Sequence, residues 1–130
     1  VPAEKRYVKS SVAVYNIMYP RVRDLAHEES FALYVRADNS LEGQPYLISK
    51  GGLTSTMVDV RLVVREALIR QTPALAFVHN HPSGNKKPSR EDDKLTERIA
   101  EACRLMNLKL IDHVIVTDGD YYSYREEGKI

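Results

Sequence analysis

The chain offers almost no sulfur. Cys103 is its single cysteine, which excludes an internal disulfide and any cysteine-rich zinc site and fits a reducing compartment. Long apolar runs are missing as well. None approaches the ~20 residues needed to cross a bilayer, and no signal-peptide pattern opens the chain. The expectation is therefore a cytoplasmic protein with no membrane partner. Charge of one sign is not in excess either: 19 basic against 18 acidic side chains leave a net charge of +1. That balance removes the electrostatic case for nucleic acid as the main partner, although Lys86, Lys87 and Arg90 form a local basic cluster. Repeats, low-complexity tracts and linker-like stretches are absent. Val1 stands where a methionine would open a whole protein, so the chain reads as a piece of something longer.

What is present suits one ordinary soluble domain, with 43% hydrophobic and 28% charged residues over 130 positions. The first ten residues are polar and read as an arm. Ser10-Ser11 caps a short helix over "VAVYNIMY", and Pro20 opens a second, "PRVRDLAHE", because proline suits a first helical turn better than an interior. "SFALYVRADN" alternates as a strand and ends in a turn; "QPYLISK" is a second strand, broken by Gly51-Gly52. In "VDVRLVVREAL", Val60, Val63, Val64, Ala67 and Leu68 share one helical face. "ALAFVH" is a continuous apolar run of strand length, hence a central strand buried on both sides. A helix from Ser89 to Met106 follows, with Leu95, Ile99, Ala102, Cys103 and Met106 facing inward. "LKLIDHVIVT" is another buried strand and "DYYSYREEG" an edge strand or turn. The class is α/β, one mixed β-sheet flanked by helices. The division read from the sequence is an arm and short helix over residues 1–19 and a single domain over 20–130.

The chemistry gathers in "HNHPSGNKKPSREDD". Residues i and i+2 of a strand point to one side, so His79 and His81 can present both imidazoles to one point, half of a zinc shell. Asn80 between them reads as an outward-facing spacer. Pro82-Ser83-Gly84 turns the chain, and Ser89 caps the next helix, whose start returns to the strand's C-terminal end, where α/β proteins keep their sites. At about 100° per residue, Asp92 lies about 35° from the centre of that helix's apolar stripe, Glu91 about 65° and Asp93 about 130°. Asp92 therefore carries a carboxylate into buried space, which is costly unless a cation meets it. Ser89-x-x-Asp92 equally fits a plain helix cap.

This stretch resembles the His-x-His-Pro…Ser-x-x-Asp signature of the JAB/MPN metalloprotease superfamily, the JAMM motif. "HNHPSG" and "PSRED" are the wording of its RadC-like branch in the short form seen in bacterial mobile elements. Six residues separate Pro82 from Ser89, the RadC-like spacing. "GGLTSTMVDVRLVVREAL", "IDHVIV" and "YYSYREEG" extend the resemblance over roughly residues 20–130. It implies the JAB/MPN (cytidine-deaminase-like) architecture and one Zn2+ ion held by His79, His81 and Asp92. It further implies a water in the open position, Ser89 assisting the developing oxyanion, and a glutamate base just before the first long strand. Glu29, followed by x-Phe, fits that place better than Glu28. The implied activity is hydrolysis of an amide in a peptide or isopeptide substrate. The rivals are a non-catalytic MPN-like scaffold and a DNA-processing accessory protein; nucleic acid enters only through that family association. The letters "HNH" do not make a nuclease, whose named residues are dispersed, and a zinc deaminase needs a Pro-Cys-x-x-Cys that is missing here. His113, in a buried strand, is read as a packed core residue or a partner of a zinc ligand, with Asp112 on the opposite face. His27 reads as a surface residue. The tyrosines of 121–124 pack an edge or form a peptide-binding rim. Substrate identity and oligomeric state are not legible.

Overall fold

The computed structural model describes residues 4–51 and 58–130. Its elements run α1 (Ser11–Val22), β1 (Glu29–Val35), β2 (Tyr46–Lys50), α2 (Val60–Arg70), β3 (Ala74–Asn80), α3 (Arg90–Leu105), β4 (Lys109–Thr117) and β5 (Asp120–Ser123). The five strands form one sheet in the order β2-β1-β3-β4-β5. The β3–β4 pair is parallel and the others are antiparallel, so the mixed α/β sheet expected from the sequence is present. The Gly52 half of the expected Gly51-Gly52 break lies outside the described residues.

Each face of the sheet has its own core. Phe31, Leu33 and Val35 of β1 and Ala76 and Val78 of β3 pack with Val14, Met18 and Val22 of α1. The alternate residues, Ala32, Tyr34, Leu75 and Phe77, pack with Val63 and Ala67 of α2 and Leu95, Ile99 and Cys103 of α3. β3 is central and buried at all seven positions, as its apolar run implied. Ser10, Asp59 and Ser89 cap the three helices by accepting bonds from otherwise unpaired first-turn amides.

Proline does not divide the N-terminal segment as its local preference suggested. One helix runs from Ser11 to Val22 with Pro20 inside it, and no second helix follows among residues 23–28. Proline removes the bond to residue i−4 and costs about 3 kcal/mol in a helix interior. Val14, Met18 and Val22 lie four apart and are all buried, and each such side chain contributes about 1.5–3 kcal/mol. Only a helix continuous through Pro20 places all three on the sheet, so packing outweighs the local penalty. The boundary read at residue 20 thus falls within α1. Two other expected core residues lie outside the core, Leu68 at 46% exposure and Met106 at 45%.

β4 carries an irregularity that matters below. Leu75 pairs with Leu110 but Ala76 pairs with Asp112, leaving Ile111 as an extra residue. Such a bulge reverses the side-chain phase beyond it. Ile111 faces the α1 core, and strict alternation would send His113 there too. Beyond the bulge, His113 instead opposes Phe77 and faces α3.

Candidate metal centre

Strand phase puts His79 on the α3 side of the sheet, and His81, just past β3, on the same side. The ring centroids are 4.8 Å apart and the two Nε2 atoms 3.0 Å apart. α3 approaches through a complete capping box: the Asp92 amide donates to Ser89 Oγ (3.0 Å) and the Ser89 amide donates to Asp92 Oδ2 (2.8 Å). The box turns the Asp92 carboxylate toward both rings, with Oδ1 3.2 Å from His79 Nε2 and Oδ2 3.3 Å from His81 Nε2. Asp92 is 2% exposed, as the angular reading of the helix required, while Glu91 and Asp93 stay half-buried. The same box makes Ser89 a helix cap in fact. Its oxygen is an acceptor for the Asp92 amide, and Ser89 itself is exposed.

His81 Nδ1 lies 2.8 Å from the Asn85 carbonyl. A carbonyl can only accept, so Nδ1 carries the hydrogen, and in the neutral ring the lone pair sits on Nε2, aimed at Asp92. Burial pushes the pKa of His79 below the usual histidine range, although Asp92 pulls it upward. Burial pulls His81 down too, but its bonds to Asp92 and to the Asn85 carbonyl outweigh that and leave it raised. Asp92 would be raised by burial, yet the two imidazoles hold it well below the usual carboxylate range.

The glutamates depart from the sequence reading. Ser30 of β1 pairs with His79 and is buried, so residues in phase with Ser30 share the histidines' side. Glu28 is in phase and Glu29 is not. Glu28 Oε1 is 3.6 Å from His81 Nε2, whereas the Glu29 carboxylate is 2.7 Å from His27 Nε2. Of the two glutamates, the one brought to the histidines is Glu28, while Glu29, chosen from the sequence, meets His27.

Asn80 is corrected as well. It is 3% exposed, and no outward side exists on a strand buried on both faces. Its Oδ1 accepts from the Glu29 amide (2.7 Å) and its Nδ2 donates to the His27 carbonyl (3.0 Å). The amide thus clamps the backbone on either side of Glu28. The continuous apolar run of β3 was the signal that could have revealed this.

His113 also joins the site. Its Nε2 is 2.8 Å from His79 Nδ1 and its Nδ1 is 2.6 Å from Thr96 Oγ1. Burial takes its pKa well below the usual range. Asp112 forms no side-chain pair with it, bonding instead to Ser123 Oγ (2.6 Å) and the amides of Arg125 and His113. Of the tyrosines, Tyr124 is buried and stacks on the His113 ring, centroids 4.7 Å apart and planes 8° from parallel. His27 is exposed, between α1 and β1. An open cleft of about 570 Å³ leads to the cluster, lined by His27, Glu28, His81, Pro82 and Lys87 among others.

Glu28, His79 and His81 thus form a group able to hold a metal ion, their ligand atoms all within 4.8 Å of one another, and Asp92 closes it from α3. A model of the RadC-like JAB domain matches residues 8–129. The chain belongs to the RadC-like JAB family. Relatives of this RadC-like domain include UPF0758 proteins of Methanococcoides burtonii, 40% identical over 126 residues, and Flavobacterium johnsoniae, 39% over 121. A third, from Streptococcus gordonii, is 41% identical over 108 residues. These alignments cover 97%, 93% and 81% of this chain but 55%, 52% and 47% of the relatives. The RadC-like domain spans about half the length of the curated relatives it matches, and their shared name assigns no activity.

Proposed function

We propose that this RadC-like domain is a zinc-dependent amide hydrolase of the metallopeptidase or isopeptidase type, with His79, His81 and Asp92 as ligands and Glu28 as general base. The observation that carries the reading is the convergence of His79 Nε2, His81 Nε2 and both Asp92 oxygens within 3.0–3.3 Å contacts in a buried pocket. Two imidazoles and one carboxylate suit zinc among the common metals, and a carboxylate 2% exposed is costly unless positive charge meets it. Glu28, rather than Asp92, is the base because it lines the open cleft, 3.6 Å from His81 Nε2 and with 27% side-chain exposure, where water can reach it. Asp92 faces both rings.

Zinc at this place supplies Lewis acidity and lowers the pKa of a water to near 7. His79 and His81 would hold it through their Nε2 atoms, and the Ser89 amide fixes the direction of the Asp92 carboxylate. Glu28 removes a proton from the water that attacks the amide carbon and returns it to the departing nitrogen. Ser89 Oγ accepts from the Asp92 amide but keeps its own hydrogen, which is available to an oxygen of the substrate. The open cleft admits an extended peptide or an isopeptide-linked side chain.

The test is zinc analysis of the purified protein, followed by a peptide and isopeptide library screen of wild type and Glu28→Gln. About one equivalent of zinc is expected, with cleavage by wild type only. Metal-free wild type sinks the zinc reading. Full zinc with no cleavage of any library favours a non-catalytic scaffold.

A further inference from the structure

We infer that Thr96 and His113 form a hydrogen-bond relay that fixes the tautomer of His79 and so keeps its Nε2 lone pair turned to the metal position. The inference deepens the zinc reading and rests on it for its purpose, but not for the relay itself.

The direction of every bond follows from one group that can only accept. Thr96 Oγ1 lies 2.8 Å from the Asp92 carbonyl, one helical turn back. A hydroxyl has a single hydrogen, and a carbonyl has none, so the Thr96 hydrogen is committed to Asp92. Thr96 Oγ1 must then accept across its 2.6 Å contact with His113 Nδ1, which places the hydrogen of neutral His113 on Nδ1. His113 Nε2 is left as an acceptor, and its 2.8 Å partner, His79 Nδ1, becomes the donor. His79 Nε2 is thereby free of hydrogen on the side facing His81 and Asp92. His81 reaches the same state independently through the Asn85 carbonyl.

The relay sits where water cannot scramble it. His79 and His113 are 0% exposed and Thr96 is 5% exposed. Tyr124 stacks on one face of His113, and Phe77 meets it edge-on with centroids 5.1 Å apart, so the ring is packed between two aromatic neighbours. The chain of bonds also begins and ends on the ligand-bearing elements. It starts from the carbonyl of Asp92 on α3 and finishes on His79 of β3, tying the two ligands together through β4. Partners of this kind fix the orientation and tautomer of a metal-binding imidazole, and their loss typically costs about 10–100-fold in metal affinity. Thr96 and His113 are positioning residues and touch no substrate.

The experiment reads imidazole nitrogens by long-range 1H–15N correlation in zinc-free protein at pH 8, together with zinc affinity by chelator competition. Expected for wild type is hydrogen on Nδ1 of both His79 and His113. Thr96→Val removes the acceptor at nearly constant shape, and should release that pattern and weaken zinc binding about tenfold. Thr96→Ser should restore both. Hydrogen on His79 Nε2 in the wild type overturns the relay, as does an unchanged nitrogen pattern in Thr96→Val; unchanged zinc affinity in a Thr96→Val protein whose pattern is released overturns its role toward the metal. If Thr96→Val does not fold, the wild-type spectrum decides alone. A wild type with the expected nitrogens but no affinity for zinc upholds the relay and removes the zinc reading; zinc bound with the opposite nitrogens does the reverse.

Discussion

The Asn80 clamp makes a demand that a spacer residue would not. Asn80→Ala deletes two neutral hydrogen bonds, one from the Glu29 amide at 2.7 Å and one to the His27 carbonyl at 3.0 Å. Each such bond contributes about 0.5–1.5 kcal/mol net, and a buried partner left unsatisfied costs about 1–3 kcal/mol. The His27 side of the clamp is exposed, so water can recover part of the loss there. The Glu29 amide is partly buried, and the emptied side-chain space lies under a 3% exposed residue. The expected cost is about 2–3 kcal/mol, read as a lower urea midpoint at constant slope in zinc-free protein. None of His79, His81 and Asp92 depends on this side chain, so zinc affinity should stay within about twofold. Glu28 does depend on it, because its two neighbours are the clamped residues. Hydrolysis should fall roughly 10–100-fold, the scale on which misplacing a reacting group by about 1 Å acts. Asn80→Asp supplies a second reading: it keeps an acceptor for Glu29 but turns a carboxylate oxygen against the His27 carbonyl, and should be at least as damaging. Loss of less than about 0.5 kcal/mol in Asn80→Ala, the ordinary range of a surface substitution, would refute the clamp.

Four further outcomes follow from the same geometry. Glu28→Gln should keep zinc and lose hydrolysis by about 10²–10⁴-fold, whereas Glu29→Gln should keep both; the reverse pattern in a paired kinetic assay would return the base to Glu29. His79→Ala and Asp92→Ala should each purify without the equivalent of zinc held by wild type, measured by elemental analysis. Ser89→Ala should lower stability by about 1 kcal/mol through loss of the cap yet hold zinc nearly as well, since Asp92 is oriented by the Ser89 amide and not by its hydroxyl. Cys103 is buried, which pushes its thiol from the ordinary value of 9.0 up to about 11. It should resist thiol reagents at pH 8 until the protein unfolds. Because the folded value is the higher one, the associated stability is complete below pH 9 and declines as pH rises toward 11, which alkaline urea titrations can follow.

Much of the site was legible because its parts are close in sequence. His79 and His81 share a side by strand alternation, and Asp92 is selected by an angle on a single helix; both rules hold within one element. The same locality made the strands and the later helices readable. Pro20 is misleading because its local preference is overridden by the buried stripe of Val14, Met18 and Val22. Asn80 is not legible from the i, i+2 rule of its histidine neighbours alone, because its surroundings are set by the central place of β3, which leaves no exposed side for the residue between them.

By itself, then, the sequence determined the α/β class, the paired imidazoles, the inward carboxylate and the helix cap that aims it, all set by spacings of a few residues. Only the tertiary structure placed Glu28 rather than Glu29 beside the histidines, because that placement depends on Ser30 of a remote strand standing opposite His79. It alone brought His113 to His79, because the bulge at Ile111 reverses the side-chain phase of β4. Register between distant strands is a property of packing, and a shift of one residue sends a side chain to the opposite face.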